Sequence, residues 1–266
     1  MERIIMNARI ALIATAALTS CAFAQVGTGG TAVNGFTSFT ITDSPTSGTA
    51  GAPHADFRVG GLGNPDHLTS SWWWFRMPGD SRETAFSNAI SSSWAGNSGR
   101  IDFVCPSFTA TMIFRVTGVS NGFGVLTETV TIRNTTNSTI ALDLFNYNNI
   151  DLAGTAGNDN TTQPAVNIIR FTDAALPGWR ADYEGTNAFA FDDASNIQNL
   201  LTDAAINNFA GTGAVASGDR EGAHQWRIML GAGDAATASA TITIVPTPGV
   251  SALAAVGAGL MIRRRR

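Results

Sequence analysis

The sequence predicts an all-β fold, an antiparallel β-sandwich of jelly-roll type with one short helix. Short runs with a two-residue apolar period recur through residues 25–244 at spacings of 8 to 15 residues, punctuated by Gly, Asn and Pro. Only 14% of the 266 residues are charged, whereas 44% are hydrophobic. The missing charge is replaced by Thr, Ser, Asn and Gly, which suit strands and tight turns better than solvated helical faces. A single segment carries a helical period instead.

Taken in order, residues 37–42 alternate, and residues 109–116 do so less cleanly. Residues 126–133 put Leu126, Val130 and Ile132 on one face, with Glu128 on that face as an exception. Asn134 to Ser138 supplies a turn, after which Ile140, Leu142 and Leu144 line up. Two such segments around an Asn-rich loop make either a hairpin or a crossover between the layers of a sandwich. Further strands are expected at 101–104, 166–171, 179–183, 188–191, 225–230 and 238–244. The helix is expected over 194–208, where Ile197, Leu200, Leu201, Ala204 and Ala205 share a face and Asp193 or Ser195 can cap the start. The 220 residues from 25 to 244 hold no repeat or linker and form one domain, long enough to bury ~70% of the unfolded surface without disulfides.

All 16 basic residues are Arg, and six of them lie at the chain ends. The body therefore sets 19 acids against 10 Arg, an acidic domain that repels phosphate backbones and excludes nucleic acid as a partner. No 20-residue apolar run occurs, which excludes a multi-span membrane protein. Of the two cysteines, Cys21 lies in the N-terminal apolar segment and Cys105 follows a strand-like run, as a small core residue would.

Residues 1–24 have the form of a secretory signal peptide: Arg3 and Arg9, an apolar stretch from Ile10 to Thr19, then Ala22-Phe23-Ala24 before Gln25. Cleavage is expected after Ala24. Leu18-Thr19-Ser20-Cys21 offers the alternative of a lipid on Cys21. At the other end, Val245-Pro246-Thr247-Pro248-Gly249 precedes a 13-residue apolar run and the block Arg263, Arg264, Arg265 and Arg266. As a helix that run reaches about 20 Å, short of a bilayer core of about 30 Å. The Arg block holds its end on the cytoplasmic side, and the prolines leave an extended, accessible joint.

Residues 245–266 resemble the PEP-CTERM sorting signal of bacterial exported proteins, with Thr247 standing where Glu is commonest in that family. The resemblance implies a transient inner-membrane anchor, processing by an exosortase-type enzyme, and delivery to the cell surface or extracellular matrix, often beside exopolysaccharide. It divides the chain into a signal peptide (1–24), a β-sandwich domain (25–244) and a sorting tail (245–266), with a helix expected in each terminal segment.

The most unusual local feature is Trp72-Trp73-Trp74-Phe75. In a strand, Trp72 and Trp74 face one side and Trp73 and Phe75 the other, so one core cannot take them all. The run is either a bridge between two buried regions or an exposed aromatic platform for polysaccharide. Asp66, Asp80 and Glu83 flank it and are candidate acids for a glycan-active enzyme, the third choice; paired with Arg76 and Arg82, such acids would instead brace a loop. The three His residues are scattered, and no nucleophile elbow, phosphate loop or dinucleotide fingerprint occurs, so no catalytic residue is assigned and the protein is read as non-enzymatic. Oxygen-rich loops at 146–151 and 158–160 match no known calcium loop; no metal or other cofactor is assigned, and Asp151 and Asp159 stand as calcium candidates. The leading expectation is an exported surface or matrix protein with a structural or adhesive role, and the alternative is a carbohydrate-binding module.

Overall fold

The computed structural model describes residues 27–60, 65–120, 122–175, 178–210 and 216–246. The expected signal and tail helices lie outside the described residues. The first strands are β1 (Gly30–Asn34), β2 (Thr37–Ile41), β3 (Ala55–Val59), β4 (Ser70–Arg76), β5 (Thr84–Ala85) and β6 (Ser91–Ala95). The middle of the chain forms β7 (Ser98–Val104), β8 (Phe108–Ser120), β9 (Phe123–Asn134), β10 (Ile140–Asn149), β11 (Asp159–Ala165) and β12 (Ile168–Asp173). Then come β13 (Trp179–Thr186), β14 (Ala190–Ala194), the helix α1 (Ile197–Thr202), β15 (Ala216–Gly218), β16 (Glu221–Leu230) and β17 (Ala235–Pro246).

These strands build a nine-stranded antiparallel sheet in the order β15-β11-β12-β13-β17-β9-β8-β7-β6. A five-stranded sheet, β14-β16-β10-β4-β5, and a three-stranded sheet, β1-β2-β3, accompany it. The turn after β9 is thus a crossover between sheets and not a hairpin. Along β9 and β17 burial alternates residue by residue, so the large sheet has one covered and one solvated face. On the solvated face Thr111 lies opposite Thr131, and Thr131 opposite Thr237. Hydroxyls there bond across strands, as between Thr131 and Thr237 at 2.8 Å.

The three-stranded sheet docks on the covered side through Phe39, whose ring lies 5.1 Å from Phe114 and 6.4 Å from Trp94 between centroids. Gly99 is required beside Trp94, since a Cβ there would fall 2.1 Å from the indole. The five-stranded sheet packs beside it, and a buried polar network joins the layers. Ser71 Oγ (β4) donates to Glu128 (β9) at 3.0 Å, and Asn146 Nδ2 (β10) donates to it at 2.8 Å. Tyr183 (β13) donates to Asn146 Oδ1 at 2.6 Å. Glu128, the exception in the apolar pattern, is therefore the inter-sheet acceptor. Burial pushes its carboxyl up to about 7 against the pull of these donors.

The helix is shorter than the 194–208 expected, ending at Thr202, and Asn196 occupies the cap position. Asp203 accepts from the Ala205 N–H at 2.8 Å, which closes a turn in place of the next helical bond. Asn207 N–H is drawn off to Glu83 at 2.9 Å, and Ala204 and Ala205 are left exposed. The strand expected from 166 begins at Ile168, because Val166 and Asn167 form the turn between β11 and β12. Likewise β14 begins at Ala190 rather than 188, after Asn187 turns the chain at a φ of 57°.

Two outcomes follow from the layer contacts. Asn134 closes the crossover, its amide donating to the carbonyls of Ser138, Leu230 and Gly231 and accepting from Thr136. Asn134→Ala orphans these buried groups and lowers the unfolding free energy by roughly 2–4 kcal/mol, read from urea midpoints. Glu128 keeps a proton in the folded chain that the unfolded chain loses above its ordinary value of 4.5. The stability that this group contributes falls as pH rises from about 4.5 to about 7 and is level above that. Glu128→Gln flattens this slope, measured by urea titration on either side of the window.

Candidate functional site

The aromatic run does not form a platform. Trp72, Trp73 and Trp74 are each 0% exposed, and Phe75 packs half-buried against the core. The five-stranded sheet is covered on both faces, so both sides of β4 are apolar: Trp73 turns to Trp226 at 5.3 Å, whereas Trp74 meets Tyr147 edge-on at 5.9 Å. Trp72 Nε1 donates to the Phe86 carbonyl at 2.9 Å. The cover on the second face comes from α1 and the segment after it, which bury Ile197, Leu201 and Phe209.

At the margin of that cover an open cleft of about 360 Å3 is lined by Arg76, Met77, Pro78, Gly79, Asp80, Ala141, Leu142, Asp143, Ile206 and Arg227. Its floor is a cross-strand rank. Asp143 in β10 is the register partner of Arg76 in β4 and of Arg227 in β16. Arg76 Nη2 and Arg227 Nε donate to separate oxygens of Asp143, the second at 3.0 Å. Arg76 also donates to Glu83 at 2.7 Å, to the Asn207 carbonyl at 2.8 Å and to Asn208 Oδ1 at 2.6 Å, and lies over the Phe145 ring. Both of its Nη atoms are occupied, and the side chain is almost buried.

Arg227 differs. Its side chain is 65% exposed, and only Nε is hydrogen-bonded among the described residues. Its guanidinium stands 4.9 Å from the ring centroid of Phe189, itself 54% exposed. Asp80 caps the turn above by accepting from the Met77 N–H at 2.7 Å, and both its elements face the cleft. The site therefore offers outward donors from Arg227, carboxylate acceptors from Asp80 and Asp143, and an aromatic face alongside.

The three acids proposed from sequence are not brought together. Glu83 is buried against Arg76, and burial raises its pKa while the Asn207 N–H and Arg76 pull it down. Asp80 belongs to the cleft. Asp66 sits instead beside β3, where it accepts from the Phe57 N–H at 2.8 Å and is pushed up to about 7 by burial and by Asp56. Arg76 and Glu83 do form the loop-bracing pair. Cys105 is half-buried, and burial lifts its thiol to about 11, which keeps it unreactive. Val245 and Pro246 end β17 opposite Arg180 and Trp179. The other signal and sorting residues (Ala22, Ala24, Gln25, Pro248, Gly249 and Arg263 to Arg266) lie outside the described residues. Asp151 precedes the turn Leu152–Gly154, and Asp159 begins β11 after it; among the described residues they do not form a metal-holding acid group. Sequence reasoning missed Asp143, Arg227 and Phe189, because each sits in or beside an ordinary strand and only cross-strand register makes them neighbours.

No family model and no curated protein matches the chain in sequence. In structure it is similar to a bacterial glucoamylase complexed with acarbose, with a TM-score of 0.55, 9% identity, and 84% of this chain aligned to 33% of that one. This chain thus spans about a third of the glucoamylase's length. A polysaccharide lyase (TM-score 0.47, 8% identity, 82% of this chain and 33% of that chain) is also similar. So is a GalM/aldose epimerase homologue from C. elegans (TM-score 0.45, 8% identity, 84% and 100%). The likeness to the glucoamylase is one of fold. It nevertheless overturns the reading of the chain as non-enzymatic. An enzyme carries this architecture, and functional groups gathered across strands, as Arg76, Asp143 and Arg227 are here, leave no local motif whose absence could exclude catalysis.

Removing Asp143 leaves one nearly buried cation short of a counter-charge. Asp143→Ala costs roughly 3 kcal/mol of stability, and Asp143→Asn less, as chemical denaturation will show.

Proposed function

We propose that this is an exported, envelope- or matrix-associated β-sandwich that binds a neutral glycan in the cleft beside Arg227. The observation that carries the proposal is the half-satisfied guanidinium of Arg227, held by Asp143 at its base and by Phe189 beneath, with its outer donors facing solvent. Sugar hydroxyls both donate and accept, so they match a rim where Arg227 donates and Asp80 and Asp143 accept, and a pyranose face can stack on Phe189. A neutral chain is favoured over a polyuronate because the body, with 19 acids against 10 Arg, repels polyanions. The fold likeness to a glucoamylase complexed with acarbose supports a carbohydrate ligand. The signal peptide and the PEP-CTERM-like tail support export through a transient inner-membrane anchor, cutting by an exosortase-type enzyme, and a place among extracellular polysaccharide.

Affinity electrophoresis in gels of neutral and uronate polysaccharides tests the ligand. Retention by a neutral glycan is expected, weakened at least about tenfold in both Arg227→Ala and Phe189→Ala, since a charge-assisted hydrogen bond and a stacking contact are each worth more than about 1.4 kcal/mol. Unaltered migration in every neutral glycan sinks the proposal. For export, mass analysis of protein recovered from the cell exterior is expected to show a chain beginning at Gln25 and lacking the Arg block.

A further inference from the structure

The cleft beside Arg227 is polar along one rank of the five-stranded sheet and apolar along the next. Arg227 and Asp143 are register partners, and so are Met229 and Ala141, two residues away on the same strands β16 and β10. Alternation puts all four on the outer face, with the two ranks about 7 Å apart along the strands. β4 ends at Arg76, and Met77 and Pro78 in the turn after it line the cleft together with Ala141 and Ile206.

The apolar rank is open to solvent. Met229 is 77% exposed and Ile206 55%. Single apolar side chains are common on any surface, but Ile206 lines the cleft itself and Met229 is paired with a residue that lines it. None of Met77, Pro78, Ala141, Ile206 and Met229 carries a side-chain group that hydrogen-bonds strongly. A sugar hydroxyl held over that rank gives up water and finds no partner, whereas a methyl group is stabilised by leaving water. The C–H face of a pyranose does not meet this need, because Phe189, against the guanidinium of Arg227, is placed to take it.

We infer that the cleft selects a methyl-bearing neutral sugar, with its hydroxyls on the Arg227–Asp143 rank and its methyl on Ala141, Met229 and Ile206. This selectivity rests on the neutral-glycan reading of the same cleft and narrows it. The methyl is that of a deoxyhexose or of an acetyl group. Both set a CH3 beside hydroxyls without adding negative charge, which suits a body with 19 acids against 10 Arg. Met229 is the specificity residue, since an unbranched thioether adapts its shape to the group laid on it.

Competition in affinity gels with the full chain tests this with matched probes. These are the methyl glycosides of D-fucose against D-galactose and of D-quinovose against D-glucose, and acetylated against alkali-deacetylated glucomannan. In at least one pair the methyl-bearing member is expected to bind about fourfold more tightly or better, as burial of one CH3 implies. A preference in the glycoside pairs alone assigns a deoxyhexose, and one in the glucomannan pair alone assigns an acetyl group. Arg227→Ala is expected to weaken both members of the preferred pair alike, whereas Met229→Gln, at an exposed strand position, brings their ratio close to one, and Ile206→Asn does the same from the roof side. Equal binding within every pair overturns the inference and leaves the neutral-glycan reading standing; no binding of any probe removes both. A preference untouched by Met229→Gln and by Ile206→Asn also overturns it. So does a dimer in sedimentation that Met229→Gln dissolves, which would give the apolar rank to a second copy of the chain.

Discussion

The five-stranded sheet is covered on both faces, and most of what distinguishes this molecule follows from that constraint. One face meets the nine-stranded sheet and the other is roofed by α1 and the segment to Phe209. A strand in that position cannot alternate apolar and polar residues. Burial in β4 and β16 accordingly runs through four and five successive residues, where β9 alternates without a break. Three consecutive tryptophans are then an ordinary solution, since each finds an apolar partner: Trp73 meets Trp226, Trp74 meets Tyr147 and Trp72 meets Phe103 of β7.

The same roof makes the cleft. It ends near Asn207 and Asn208, whose oxygens hold Arg76, and beyond that edge the outward rank of the sheet reaches solvent at Arg227. One carboxylate, Asp143, serves both arginines, so the buried cation and the exposed one are positioned by a single residue. Binding chemistry at the rim and stability beneath it are coupled through that side chain.

Buried acids are handled in two ways. Glu128 takes donors from Ser71 and Asn146 and acts as a pin between layers, a polar contact that specifies which strands face each other. Asp159 has no side-chain donor among the described residues and lies opposite another acid, Asp173. Both lie on strands, one in an alternating run and the other in an Asn- and Asp-rich stretch, and only the first is visible in sequence as a break in pattern.

Sequence alone determined the all-β class, because strands with one wet face write their period directly into the chain: β2, β8 and β9 were each anticipated from alternation, β13 and β17 as further short strands, and the crossover at Asn134 as one of two choices. It also determined the acidic body and the features of the two ends, which are local and compositional. Tertiary structure decided the rest. Whether Trp72, Trp73 and Trp74 are core or surface depends on a roof contributed from about 120 residues downstream, near Ile197. The helix length depends on Glu83 capturing Asn207, and the cleft depends on the register that sets Arg76, Asp143 and Arg227 side by side. Strand period is a property of neighbours along the chain, whereas a site across three strands is a property of neighbours in space, and the chain carries no local record of it.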